Sequence, residues 1–151
     1  VGMGGIGRAT TGLAAALGFR VIGWNRSPLS DAPCPLVSLD ALLESADVIS
    51  LHLALTPETA KMIDATALSR MRSIAVLVNT ARAGIIDTKA LVAALEANPL
   101  SHAALDVFDE EPLRLDHPLL SLPNVTVTAH AGFKTDAALR RLLLEALART
   151  Q

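Results

Sequence analysis

One cysteine occurs in 151 residues: Cys34, set between Pro33 and Pro35. A single thiol closes no internal disulfide, which fits a reducing compartment such as the cytoplasm. Charge of one sign is lacking too. Thirteen Lys and Arg against 15 Asp and Glu leave a formal net charge of −2. That balance gives no reason to expect nucleic acid or an anionic membrane as partner. No apolar run approaches the length of a membrane span, and no secretory signal is visible. Low-complexity tracts and internal repeats are missing as well. So is an initiator Met. The chain opens at Val1, directly before a glycine motif, so the expectation is that upstream sequence, including most of a first strand, has been lost.

What is present is a globular composition, 51% hydrophobic and 19% charged, in a length that suits one domain with a real core. Strand-like and helix-like runs alternate. Helical period and alanine content predict a helix over 6–17, stopped by Gly18. Further helices are expected over 38–44 with Ser38 as N-cap, one or two turns within 59–71, over 88–97 capped near Asp87, and over 135–149, this last one amphipathic. Apolar runs predict strands over 20–24, 47–53, 74–79, 103–107 and 125–128. Strands separated by helices indicate parallel βαβ units. Several strands are apolar without alternation, as when helices cover both faces of a sheet. The fold class expected is therefore α/β, a doubly wound parallel sheet over 1–151 with a crevice at the carboxyl ends of its strands. Asn25, the 79–82 segment, Asp106 and His130 all fall at or just after the end of a predicted strand.

Gly2-Met3-Gly4-Gly5-Ile6-Gly7 matches G-x-G-x-x-G and opens the first helix. The first glycine permits a tight turn, the second lets backbone approach a pyrophosphate, and the third lets helix and strand pack closely. The pyrophosphate would rest on N–H groups at the positive helix end, which include Gly5 and Ile6. The strand that follows ends in Trp24-Asn25-Arg26-Ser27. An NAD site usually carries Asp or Glu there for the ribose 2′-hydroxyl. Here the acid is missing. Arg26 is able to pair with a 2′-phosphate, and Asn25 and Ser27 to hydrogen-bond it. NADP(H) is thus the favoured cofactor and NAD(H) the alternative.

Four further segments carry a family resemblance. Residues 47–56, Asp-Val-Ile-Ser-Leu-His-Leu-Ala-Leu-Thr, look like D-V-(I/V)-x-L-H-x-P-L-T, with Ala54 in place of proline. Residues 78–84 resemble N-x-(A/S)-R-G-G with Ala83 for the first glycine. Residues 104–112 resemble A-x-D-V-F-x-x-E-P. Residues 128–132 resemble T-P-H-I-(G/A), with Ala129 and Ala131 at the second and fourth places. In this order and spacing, almost the whole chain resembles the cofactor domain of the D-isomer-specific 2-hydroxyacid dehydrogenases, glyoxylate/hydroxypyruvate reductases among them.

That resemblance implies hydride transfer between a nicotinamide cofactor and a 2-keto or D-2-hydroxy acid. Arg82 would hold the substrate carboxylate with its planar, permanently charged fork. His130 would exchange a proton with the carbonyl oxygen, since imidazole titrates near working pH. Glu111, selected over Glu110 and Asp109 by family spacing, would orient and charge that imidazole. Asp106 would bond the nicotinamide carboxamide; Thr80, Ala81, His52, Thr56 and Gly132 would line the cofactor. His102 and His117 read as loop residues. The family also implies a homodimer paired through this domain, and a substrate domain built from segments outside it. Three other readings stand beside this one. They are a corepressor-like nucleotide-sensing scaffold of the same family, another Rossmann enzyme such as a methyltransferase or adenosylhomocysteine-type hydrolase, and a fragment inactive by itself.

Overall fold

The computed structural model describes residues 1–97 and 100–149. Its centre is a parallel sheet of four strands in the order β1–β2–β3–β4: Val48–Leu51, Val76–Asn79, His102–Leu105 and Val125–Val127. In register, Leu51 lies beside Asn79, Asn79 beside Leu105, and Leu105 beside Val127. The carboxyl ends of all four strands are therefore level. Whatever follows each strand emerges at one edge.

The hydrogen bonding continues past β1. The His52 amide donates to Val1 O and the Val1 amino group to Ser50 O, each at 2.8 Å. The Gly2 amide donates to Trp24 O. Residues 1–2 thus lie between β1 and residues 23–24, which in turn bridge Leu36. From residue 2 the chain runs outward on one side and returns to β1 on the other. The order reverses there, and a crevice outside the strand ends follows from that reversal. The strand expected over 20–24 is reduced to the single bridge at Gly23. It has only Val1–Gly2 to pair with on one side. On the other, Gly23 donates to Pro35 O and accepts from the Val37 amide, on either side of Leu36.

Among the described residues five α-helices accompany these strands: α1 (Gly5–Ala16), α2 (Leu39–Ser45), α3 (Ala65–Arg70), α4 (Thr88–Glu96) and, after β4, α5 (Asp136–Arg149). Their starts are capped where short polar side chains reach free amides. Ser38 accepts from the Ala41 amide and Asp87 from those of Lys89 and Ala90, as expected, and Asp64 accepts from that of Ala67. The core joins Ile49, Leu51, Leu77, Ala103, Leu68 and Leu91, all at most 2% exposed. Along the strands buried residues alternate with half-buried ones, so one face of the sheet is sealed and the other only partly covered. That differs from the expectation of helices covering both faces. The reason lies in α1, which buries only Gly7 and Thr11 and leaves Ile6, Leu13 and Leu17 exposed. Every described side chain of α5 is exposed as well. No helix among the described residues is long and apolar enough to cross a membrane.

Candidate functional site

The glycine turn sits at the reversal point. Gly2 has φ +89°, which an L side chain rarely adopts. A Cβ on Gly7 would collide with Gly2 O and stand 3.6 Å from His52 Cβ. The third glycine is thus demanded first by the turn itself and then by the end of β1. Gly4 and Gly5 are different. A Cβ on either would meet nothing within 4 Å. Gly4 is the N-cap of α1, and no side chain caps that first turn. An open backbone surface in front of uncapped amides at a helix start is what a pyrophosphate requires. The turn fits the phosphates of a dinucleotide.

Asn25 and Arg8 hold the turn in place. The Met3 amide donates to Asn25 Oδ1 at 3.0 Å, and Asn25 Nδ2 donates to Ser27 O. Arg8 donates to Met3 O and to Asp31. The Asn25 side chain therefore works within the protein rather than projecting toward a ligand. Arg26 and Ser27 are exposed beside it. His52, at the end of β1, is half-buried. Burial pushes its imidazole pKa down, and its Nε2 has no partner among the described residues. Thr56 is folded into a turn by the buried Thr59, whose Oγ1 accepts from the Thr56 amide and donates to Ala54 O.

At the level strand ends, the loops after β2, β3 and β4 are neighbours. His130 Nδ1 and Glu111 Oε2 are 2.7 Å apart, both partly exposed. The Phe108 amide donates to the other oxygen of Glu111. The His130 bond, then that amide, hold the Glu111 carboxyl below its ordinary range, so it is an anion at neutral pH. His130 itself has φ +49°, a strained backbone for a non-glycine residue. The strain is held by Asp106. This carboxylate is buried and accepts from Thr128 Oγ1 and the Ala131 amide on one oxygen, and from the Gly132 amide on the other. Burial works to raise the Asp106 pKa, but the three hydrogen bonds outweigh it and the group stays below the usual aspartate value. Three of its roughly four lone-pair positions are thus filled by the loop that presents His130.

Arg82 follows β2 in the same layer of loops, with its side chain exposed and donating to Ala81 O. It bonds neither His130 nor Glu111. Its turn is braced by Asn79, 1% exposed, which accepts from the Ala81 amide and donates to Arg82 O. Thr80 and Ala81 lie within that turn. The sequence signal for this brace is an Asn closing an apolar strand, because a buried amide must be used. His102 is corrected by the structure: it opens β3 and its Nε2 bonds Thr126 Oγ1 across to β4. His117 does lie in a loop, where it accepts from the Leu119 amide.

Residues 1–132 match the family model described as D-isomer specific 2-hydroxyacid dehydrogenase, NAD binding domain. The chain belongs to that family. Glyoxylate reductase of Aeropyrum pernix is 41% identical over 150 residues, spanning 97% of this chain and 45% of the relative. D-lactate dehydrogenase from Lactobacillus jensenii with NAD+ superposes with a TM-score of 0.89 at 30% identity, covering 97% of this chain and 49% of that one. A D-isomer specific 2-hydroxyacid dehydrogenase from Xanthobacter autotrophicus Py2, in complex with NADPH, gives 0.81 at 35% identity, over 85% of this chain and 42% of that one. The chain spans about half, or less, of the length of these relatives. As a member of this family it is a nicotinamide-nucleotide-binding domain with the parallel Rossmann-type architecture expected.

Proposed function

We propose that the protein of which residues 1–151 are the cofactor domain reduces 2-keto acids to D-2-hydroxy acids, and runs the reverse oxidation, with NADP(H) preferred and NAD(H) accepted. The observation that carries this is the 2.7 Å His130–Glu111 pair, set, like Arg82 and the open glycine turn, at the carboxyl ends of the parallel strands. When bound, the nicotinamide supplies or accepts the hydride.

The protein's residues supply everything else. The first turn of α1, with Gly2, Gly4, Gly5, Ile6 and Gly7, holds the pyrophosphate, and Arg26 with Ser27 reads the ribose. Thr80, Ala81, His52, Thr56 and Gly132 line the cofactor's path. Asp106 has one lone-pair position left for the carboxamide. Arg82 forks onto the substrate carboxylate, which fixes the ketone carbon. His130 donates a proton to the ketone oxygen as its charge develops, and Glu111, bonded at Nδ1, holds the ring in the orientation for that donation. In oxidation the same imidazole accepts the proton back.

Substrates of the size of glyoxylate, hydroxypyruvate or pyruvate fit this scheme. A homodimer paired through this domain, a separate substrate domain and a cytoplasmic location belong to the same proposal. The test is nicotinamide oxidation by the full-length protein with those three acids. Turnover that is lost in His130→Ala supports the assignment. Nucleotide binding without turnover on any keto acid would replace it with a nucleotide-sensing scaffold.

A further inference from the structure

Two turns meet through charge at the ribose end of the crevice. Arg26 Nη1 lies 3.5 Å from Glu58 Oε2, with the side chains 59% and 63% exposed. Arg26 follows residues 20–24, and Glu58 sits in the turn after β1. The other arginine nearby is committed elsewhere. Arg8 Nε donates to Met3 O at 3.2 Å, and its Nη atoms donate to Asp31 O and Oδ1 at 2.8 Å. Asn25 is committed too, to the Met3 amide and Ser27 O. Two arginines thus face two carboxylates, and the turn carries no net positive charge of its own. Arg26 is the cation whose partner is a single, solvent-exposed carboxylate.

We propose, resting on the assignment of the ribose to this turn, that Glu58 determines cofactor choice by competing with a 2′-phosphate for Arg26. A phosphate monoester carries about −1.5 to −2 charges at neutral pH. It draws Arg26 into a fork geometry. To take it up, Arg26 must leave Glu58, and the freed carboxylate remains beside the incoming anion as a like charge. A ribose 2′-hydroxyl brings no charge and meets neither cost. Glu58 therefore holds NADPH affinity down and leaves NADH affinity alone, which keeps the two cofactors closer than Arg26 by itself would. Exposed pairs of this kind interact weakly, so the effect belongs to affinities within about a factor of ten.

The experiment is calorimetric titration of the full-length protein with NADPH and with NADH. In Glu58→Gln the NADPH dissociation constant falls about two- to fivefold while that for NADH stays unchanged. The gain shrinks as ionic strength rises, because screening weakens exposed charges. In an Arg26→Gln background the same Glu58→Gln change produces a smaller gain for NADPH, because only the like-charge repulsion is relieved and no ion pair is released. Glu58→Ala, which also removes the charge, gives the same pattern. An NADPH-to-NADH ratio that is unchanged in both Glu58 variants overturns the proposal, as does a gain that is undiminished without Arg26. Those outcomes leave nucleotide binding itself intact. Failure of the unsubstituted protein to bind either nucleotide would instead overturn the assignment of the site along with the role of Glu58.

Discussion

Glu111 and Asp106 flank His130, and their surroundings give them different tasks. Glu111 is exposed and bonded to the imidazole, so His130 is the main reason that its carboxyl titrates low. In His130→Ala the Glu111 midpoint should climb back toward about 4.3, read by carbon-13 NMR of the side-chain carboxyl. A midpoint that stays low would mean that another group holds the charge. Asp106 is buried and holds backbone. Asp106→Asn keeps the size but places an NH2 group against amide donors, so one of them loses its acceptor. That should cost about 1–3 kcal/mol, seen in denaturant unfolding, and should lower turnover because His130 loses its strained presentation. The pH sign follows from the depressed carboxyl. Its stabilisation is fully present above the unfolded value of about 3.9 and is lost as pH falls through the lower folded value. Acidification across that window should therefore destabilise the unsubstituted protein more than Asp106→Asn.

Among the elements, the glycine turn separates folding from binding. A methyl on Gly7 collides with the Gly2 carbonyl, and neither partner is a flexible side chain. Gly7→Ala should lower the melting temperature and abolish nucleotide binding together. A methyl on Gly5 meets open space, and alanine is the better helix former. Gly5→Ala should keep or raise the melting temperature and weaken nucleotide binding alone, because only a bound phosphate would touch the new atom. Equal melting losses in both variants would contradict this division. The helix caps are a second case. Ser38 and Asp87 were legible because each stands directly before a helical run. Asp64 was not, because the residues before it form a turn organised by Thr59, and residues 59–71 blur into one segment when read by period alone.

For the whole molecule, the exposed His130–Glu111 pair is the important fact. With side chains 40% and 37% exposed, the pair faces solvent, and hydride transfer needs a site that excludes it. Residues 1–151 alone should bind a nicotinamide nucleotide and show no turnover, while the full-length protein turns over keto acid. Turnover by residues 1–151 at a comparable rate would refute the separate substrate domain.

The sequence by itself determined the parallel α/β class and the glycine turn, and offered Arg82, Glu111 and His130 as candidates, because these depend on local spacing and on family motifs whose residues are neighbours in the chain. Tertiary structure decided the rest. Asp106 and the His130 loop are 24 residues apart in the chain and meet only because β3 and β4 pair in register. The same holds for His102 with Thr126, for Arg26 with Glu58, and for the Met3 amide that occupies Asn25. Such contacts join residues distant in the chain, and no local period encodes them. They exist because adjacent parallel strands bring the ends of distant segments to one edge.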